Sequence, residues 1–374
     1  MPSGATPNRQ PQTSKLSRAR IALVTLSVFS LATAGCKRAP VKRLSAAEVH
    51  QITLELARAA RNGAPPGTVV RTRRARGGDA GTNFDEIYVG FRGGDAAETR
   101  FAQNLEGVAS EHGLTVDPET RTGDTVKFAL RNQGSITQRI AIERLAAAVA
   151  SARPRAPQLA ILLDDLGSDR GAAEEIFSLH SPVTISVLPY HAHSAEIARA
   201  ARQHGCEVML HLPMQSVANE TPERQELKPG LSSEQVRSMV EKMLDAIPEA
   251  DGVNNHQGSE ATADRALMNE LMAVLKDEDV FYVDSRTTVE TVAYEAAERA
   301  GVRAAFRNVP FLDDVDEAGA VRRQLQVAIR GARQKGEAIA IGHPHAGTLR
   351  ALREMLPEAK KEGVQLVLVS ELVR

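Results

Sequence analysis

The sequence lacks tryptophan and is poor in aromatic residues and cysteine. Among its 374 residues, 3% are aromatic and 2 are cysteine. A broad aromatic platform for stacking sugars is therefore not expected, and recognition of a sugar would depend on polar contacts and a few Tyr and Phe side chains. The formal net charge of −1 gives no electrostatic case for nucleic-acid binding, so no nucleic-acid partner is expected.

The first 36 residues have the three-part pattern of an export signal. Basic residues precede an apolar run from Ile21 to Ala34, which ends at Gly35-Cys36. The run is too short to span a bilayer comfortably as a permanent helix, and its flanks indicate a signal peptide. Its end resembles a bacterial lipoprotein signal, which implies that Cys36 is lipidated and becomes the mature N-terminus. The alternatives are an ordinary secretory signal and an uncleaved anchor.

These features predict where the protein resides and how its cysteines are used. We expect an exported protein that a lipid anchors to the membrane on the periplasmic face of the cell envelope. If Cys36 carries lipid, Cys206 has no partner, and no disulfide framework exists. Cys206 precedes an apolar run, which favours a buried small side chain.

Residues 37–156 predict a small α+β domain with linkers, in which no constellation of chemically active residues stands out. Helical periodicity covers 45–61 and 97–112, and a strand pattern covers 84–91. A hairpin is expected over 125–140, followed by a helix over 142–152. Arg71, Arg73, Arg74 and Arg76 suggest a charged, solvated loop.

Residues 157–374 have a different pattern, in which apolar strands alternate regularly with amphipathic helices. Such alternation predicts a parallel α/β sheet, and the number of strands favours a barrel over an open sheet. Strands are expected to begin near Gln158, Val183, Glu207, Gly252, Val280, Arg303, Ala338 and Val364. Helices are expected near Gly171, Ser194, Ser232, Ala263, Val289, Gly319 and Thr348.

Side chains that can do chemistry follow several of these strands. The active sites of parallel α/β folds gather at the carboxyl ends of the strands. A single Asp at the end of a strand often caps the next helix, and a single His there is often an ordinary polar residue. The coincidence of several such residues at one edge of the sheet favours an active site. The strand ends carry Asp164-Asp165, His211, Asn254-Asn255-His256, Asp284-Ser285 and His343.

The residue types at this edge suit metal-assisted hydrolysis. Two His and one carboxylate are a common ligand set for Zn²⁺ and leave a position open for water. One of two adjacent Asp could bind the metal while the other takes the proton from the attacking water. A third His could protonate the leaving amine. Ser259, in the loop after the fourth strand, could hold an oxyanion or cap the next helix.

The ordered motifs of this half resemble those of the divergent polysaccharide deacetylase family. The matching stretches are residues 161–167, 207–214, 254–259, 283–287, 311–313 and 341–344. The resemblance covers residues 158–372 and implies a distorted (β/α) barrel of seven to eight parallel strands.

The resemblance also implies roles for particular residues. Asp164 is implied as the catalytic base and His343 as the catalytic acid. Asp165 and His211 are implied as ligands of a divalent metal, most simply zinc. Ordinary deacetylases have a second His four residues after the first, where this chain has Gln215, and His256 is our choice for the missing ligand. Further candidates for contacts with substrate or oxyanion are Asn255, Ser259, Asp284 and Ser285.

The expected function is therefore hydrolysis of a carbon–nitrogen amide bond other than a peptide bond. The expected reaction is N-deacetylation of an envelope or extracellular polysaccharide, such as peptidoglycan or an exopolysaccharide. The alternative is an envelope protein with weak or no turnover that binds glycan through the same fold.

Overall fold

Two β-sheets, each with its own buried core, form the framework of the part of the chain that the structure describes. The computed structural model describes residues 43–65, 68–76, 83–145, 156–217 and 221–374. The segment predicted to be an export signal, Cys36 included, lies outside these residues. No helix within the described ranges is long and apolar enough to cross a bilayer.

The first sheet is covered on one side by two helices. Its strands follow the order β1-β2-β6-β5-β3, and β4 pairs with β5. Ser45 begins the first helix with a capping box to Glu48, which satisfies backbone N–H groups that have no partner within the helix. The elements are α1 (Ala46–Arg61), β1 (Val69–Arg76), β2 (Asn83–Phe91), α2 (Asp95–Glu111), β3 (Thr115–Val116), β4 (Thr120–Thr122), β5 (Thr125–Asn132) and β6 (Ser135–Arg144).

Two expectations for this region are wrong. The stretch with Arg71, predicted as a loop, is strand β1, which pairs antiparallel with β2 along its full length. The start of the helix predicted over 142–152 is also wrong, because β6 continues to Arg144. Residues 146–152 of that prediction lie outside the described residues. Ile142 is opposite Val89 of β2 on one side and Val126 of β5 on the other, so pairing on both edges outweighs the local helical pattern.

The second sheet is a nearly closed barrel of parallel strands wrapped by helices, and its strands and helices are those expected from the sequence. Its strands follow the order β12-β11-β10-β9-β8-β7-β13, and β14 pairs with the start of β7. The elements are β7 (Gln158–Leu166), α3 (Arg170–Phe177), β8 (Thr184–Val187), α4 (Ser194–Gln203), β9 (Glu207–Met214), α5 (Ser233–Ala246), β10 (Gly252–Gln257), α6 (Arg265–Glu278), β11 (Phe281–Asp284), α7 (Ala293–Ala300), β12 (Ala304–Phe306), α8 (Ala318–Lys335), β13 (Glu337–Gly342), α9 (Ala346–Lys361) and β14 (Gln365–Val367).

An irregular segment spans the gap between β12 and β13. The Asn308 side chain accepts a hydrogen bond from the backbone N–H of Ile339 at 2.9 Å. Leu312 N–H donates to the Ile341 carbonyl, also at 2.9 Å. These bonds use backbone groups of β13 that would otherwise form an open sheet edge. The same segment brings Asp313 to the carboxyl end of β13.

The barrel strands are apolar on both faces. One cluster, which includes Leu162, Met209 and Ile341, is separate from the larger cluster that the strands share with the surrounding helices. Burial on both faces explains why the strands read as continuous apolar runs in the sequence. At Gly252, a Cβ atom would lie 2.4 Å from the ring of Phe281, so a larger residue would not fit there.

Buried and partly buried polar contacts join the first sheet and α1 to the amino-terminal side of the barrel. The two ring nitrogens of His50 lie 2.9 Å from carboxylate oxygens of Asp85 in β2 and Glu278 in α6. Arg61 forms an ion pair with Asp279, directly after α6. The described residues from Arg43 to Arg374 accordingly form one unit.

Candidate metal centre

The first strand of the barrel ends in an irregularity that directs two adjacent carboxylates to one place. The pairing of β7 with β8 shifts register between Leu163 and Leu166. Asp165 has a φ of 60°, in the left-handed region, which residues other than glycine enter at a cost. In a regular strand the side chains of neighbours point to opposite faces. Here His211 Nε2 lies 3.7 Å from Asp164 Oδ2 and 3.1 Å from Asp165 Oδ1.

The alternation of side chains along β9 and β10 places His211 and His256 on the same face of the sheet. Asn254 of β10 is paired with His211 of β9, and His256 is paired with Pro213. Side chains two residues apart on a strand share a face. Asn254 and His256 therefore both point toward His211, while Asn255 points the other way.

Three ligand atoms converge at this edge. His256 Nδ1 lies 2.9 Å from Asp165 Oδ1 and 3.2 Å from His211 Nε2, and His211 Nε2 lies 3.1 Å from Asp165 Oδ1. The three atoms thus form an almost equilateral triangle. These are the residues that the sequence analysis selected as metal ligands, and the structure brings them together.

The triangle fits a tetrahedral divalent ion. Asp165 Oδ1 is buried and has no hydrogen-bond partner of acceptable geometry, although two imidazole nitrogens are nearby. Zinc bonds to nitrogen and oxygen of about 2.0–2.1 Å place neighbouring tetrahedral ligands about 3.3 Å apart, close to the three edges observed. A cation at this point would satisfy the unpaired oxygen and leave one tetrahedral position open.

Asn254 connects the triangle to the second carboxylate. Its Nδ2 donates to both oxygens of Asp164, at 3.0 and 3.1 Å. Its Oδ1 accepts from His211 Nδ1 at 3.0 Å. The imidazole proton is thereby held on Nδ1, and the lone pair of Nε2 is directed to the ligand triangle.

The electrostatics of the two carboxylates differ. Burial raises the pKa of Asp164, whose side chain is almost inaccessible to solvent. Burial alone would also raise the pKa of Asp165, but the adjacent His211 and His256 hold it well below the ordinary value. Asp165 is therefore the permanent anion of the pair, as a metal ligand must be, and Asp164 is the carboxylate more disposed to hold a proton.

His343 approaches from the opposite side of the edge. Asp313 Oδ1 lies 3.0 Å from His343 Nδ1, while Asp313 Oδ2 accepts bonds from the backbone of His343 and the hydroxyl of Thr348. His343 Nε2 then lies 3.9 Å from Asp165 Oδ2. Burial lowers the pKa of His343, but the bond to Asp313 and the charges of the three carboxylates outweigh it and raise the pKa to about 9.

The four residues predicted to contact substrate or oxyanion form hydrogen bonds that connect the loops around the triangle. Asn255 accepts bonds from Tyr282 and the backbone of Ser285, and Ser259 bonds Ser216 and the backbone of Val217. Asp284 accepts from the Arg286 backbone and from Thr291. Ser285 is closest to the centre, where its hydroxyl accepts from Asn254. Their roles toward substrate or oxyanion stay predictions.

Two residues of this centre were not singled out from the sequence. The sequence predicts a role for Asn255 and none for Asn254, although Asn254 is two residues before His256 and so lies on the same face of the strand as His256. Asp313 stood in a recognised motif but received no role, because it comes from an irregular segment whose path the sequence pattern does not predict. The nearby His191 bonds Ser168 and Glu223 outside the triangle.

Comparisons with known proteins agree with this architecture. The sequence profile of a family described as divergent polysaccharide deacetylase matches residues 161–373. An uncharacterized Escherichia coli protein, YibQ, is 36% identical over 201 residues, which is 54% of this chain and 63% of that protein. An uncharacterized Haemophilus influenzae protein is 37% identical over 217 residues, which is 58% of this chain and 77% of that protein.

A solved structure supports the fold. The crystal structure of an uncharacterized Agrobacterium tumefaciens protein superposes with a TM-score of 0.54 at 21% identity, covering 59% of this chain and 90% of that chain. At this level of identity the likeness concerns the fold alone.

Proposed function

Because the chain belongs to the divergent polysaccharide deacetylase family, we propose that it is a metal-dependent hydrolase that removes N-acetyl groups from a polysaccharide. The main support for this proposal is the triangle of Asp165, His211 and His256, in which the buried Oδ1 atom of Asp165 lacks a hydrogen bond. A bound divalent ion, with zinc the best match to two imidazoles and one carboxylate, would polarise the amide carbonyl and make water more acidic.

The remaining residues divide the proton transfers. Asp164 accepts the proton of the attacking water, and Asn254 keeps its carboxylate oriented through both oxygens. His343, protonated and held by Asp313, donates a proton to the departing sugar nitrogen. The base is in β7 and the acid directly follows β13, at the same edge, so a substrate amide can be held between them.

The family and the residues at this edge support a proposal for the substrate class. We propose an N-acetylated polysaccharide of the envelope or the extracellular space, peptidoglycan included. Tyr190, which is 47% exposed, follows β8 at the same end of the barrel as the triangle and offers one aromatic surface to a sugar ring. Export and lipidation at Cys36 would place the enzyme where such polymers occur.

The proposal is tested by metal content and acetate release. Purified protein should contain about one zinc ion per chain and release acetate from N-acetylglucosamine oligomers or peptidoglycan fragments. His211→Ala should lose both metal and activity. Asp164→Asn should retain metal while its rate falls about 10²–10⁴-fold, the range typical of general base catalysis.

His191→Ala is the matched control. It removes an imidazole at the same edge but outside the triangle, so metal content and rate should stay near wild-type values. Metal content and activity unchanged in His211→Ala would show that the centre is wrongly assigned. A zinc-loaded protein that binds these glycans but releases no acetate would favour glycan binding without turnover.

A further inference from the structure

The face of the first sheet opposite its helices lines a cleft. Ile87, Val89 and Ile140 point toward α1 and α2 and are buried. Residues that alternate with them point the other way, into a cleft of about 950 Å³. Arg202 and Asp251, near the amino ends of the barrel strands, contribute to its other wall. The cleft is therefore bounded by the first sheet and the barrel.

The register of the sheet sets the composition of this face. Arg71 is opposite Tyr88, Tyr88 is opposite Ala141, and Ala141 is opposite Lys127. With about 4.8 Å between neighbouring strands, this row extends about 14 Å from Arg71 to Lys127. It has a cation at each end, an aromatic ring inside and a small side chain beside the ring, and it is long enough for two or three sugar rings.

The aromatic ring lies across the sheet. A Cβ atom on Gly90 would be 2.8 Å from the Tyr88 hydroxyl and 3.0 Å from its ring, so the ring covers a position that has no side chain. The hydroxyl bonds Glu143 at 2.9 Å, which fixes the orientation of the ring. On the same face, the guanidinium of Arg139 lies 4.2 Å from the centre of the Phe84 ring.

The charges of the cleft favour an anion. Its acidic groups have partners: Glu86 pairs with Arg73, Asp117 with Arg131, and Asp251 with Arg202. Within the described ranges, Arg71, Lys127 and Arg139 form no ion pair, and all three line the cleft. Five cationic and three acidic side chains line the cleft, so a ligand that entered would meet an excess of positive charge, which the Glu143 carboxylate at the Tyr88 hydroxyl reduces in part.

We infer that this cleft binds a carboxylate-bearing glycan. The C–H face of a sugar ring can pack on Tyr88, because the negative face of an aromatic ring attracts weakly polarised C–H groups. Carboxylates on neighbouring sugars can then pair with Arg71 and Lys127. A phosphate polymer would use the cations but would not need a flat ring between them.

The inference is independent of the proposed reaction. The cleft contains none of the ligand triangle, and its lining comes from the first sheet and the amino-terminal side of the barrel, whereas the triangle lies at the carboxyl ends of the strands. Binding can therefore be measured without turnover, and its failure leaves the deacetylase proposal standing.

Calorimetric titration of the metal-loaded protein with two trisaccharides tests whether the cleft binds a carboxylate-bearing glycan. A galacturonate trimer carries a carboxylate on each ring, whereas the methyl ester of the same trimer is neutral, and neither has an N-acetyl group for the metal centre. The galacturonate trimer should bind at least tenfold more tightly in the wild type. Arg71→Ala and Tyr88→Ala should each weaken its binding at least tenfold, and Tyr88→Phe should largely retain it. Arg323→Ala, an exposed arginine on α8, should change nothing.

Gly90→Ala provides a variant that removes no charge and no aromatic group. The added methyl group would force the Tyr88 ring off the sheet, so binding should weaken while unfolding in urea shows a folded protein. Equal binding of both trimers, or galacturonate binding indifferent to Arg71 and Tyr88, would overturn the inference. A polyphosphate probe that binds through the cations, with no binding of the galacturonate trimer, would also overturn it.

Discussion

Replacing Asn254 with alanine should weaken both the fold and the metal centre. The change removes the two hydrogen bonds to Asp164 and the one to His211 Nδ1. Both partners are buried, with side-chain exposures of 3% and 2%. A buried polar group without a partner costs about 1–3 kcal/mol, and a charged one more, so the free energy of unfolding should fall by about 3–5 kcal/mol.

The effect on the metal follows from the orientation of His211. Without the Asn254 acceptor, the ring can turn and its proton can move to Nε2, which removes the ligand lone pair. Loss of such an outer partner typically lowers metal affinity about 10–100-fold. Urea unfolding of the metal-free protein measures the first effect, and zinc competition with a chelator measures the second.

Asn255→Ala separates the two effects. Its side chain bonds Tyr282 and the backbone of Ser285, so its loss should also destabilise the protein. It makes no bond to His211 or Asp164, and zinc affinity should stay within a few fold of wild type. Zinc binding by Asn254→Ala as tight as that of the wild type, or an equal loss of zinc affinity in Asn255→Ala, would contradict this role of Asn254.

Three further outcomes are expected. Burial raises the pKa of Glu207. The wild type should therefore lose stability relative to Glu207→Gln as the pH rises from about 4.3, the ordinary Glu pKa, through the raised pKa of the folded state. Urea unfolding of both proteins at pH 5 and pH 8 measures this difference in stability, and the same difference at both pH values would contradict the prediction. Gly252→Ala should lower the free energy of unfolding by about 1–3 kcal/mol because its Cβ would overlap Phe281, and unchanged stability would show that the ring moves freely. Burial raises the pKa of the Cys206 thiol to about 11. In a Cys36→Ser variant, which keeps Cys206 as its one thiol, a disulfide reagent at pH 8 should modify Cys206 only in the unfolded protein. Rapid labelling of this variant in its native state would contradict the prediction.

The sequence predicted the barrel well because its strands are buried on both faces. Runs such as Leu159 to Leu163 can hardly occur outside a buried strand or helix, and their spacing separates them clearly. Strand β1 was missed because a sheet with one solvated face needs few apolar residues on that face. The strand at Ile142 was missed because strand pairing with distant residues decides its structure.

The part of the site formed by residues at the ends of strands could be predicted from the sequence. His211, His256 and the Asp pair come directly from that rule. The left-handed conformation of Asp165 could not be predicted, since no glycine marks it. The partnership of Asp313 with His343 depends on the segment that fills the gap between β12 and β13, whose path depends on packing.

The placement of His50 between Asp85 and Glu278 has a practical consequence for dissecting the protein. A fragment beginning at residue 157 would retain the complete ligand triangle, but it would leave Glu278 without its imidazole and Asp279 without Arg61. Such a fragment should be prone to aggregation, and its poor behaviour would say nothing about the chemistry of the barrel. Expression boundaries that begin at Arg43 or earlier keep these pairs intact.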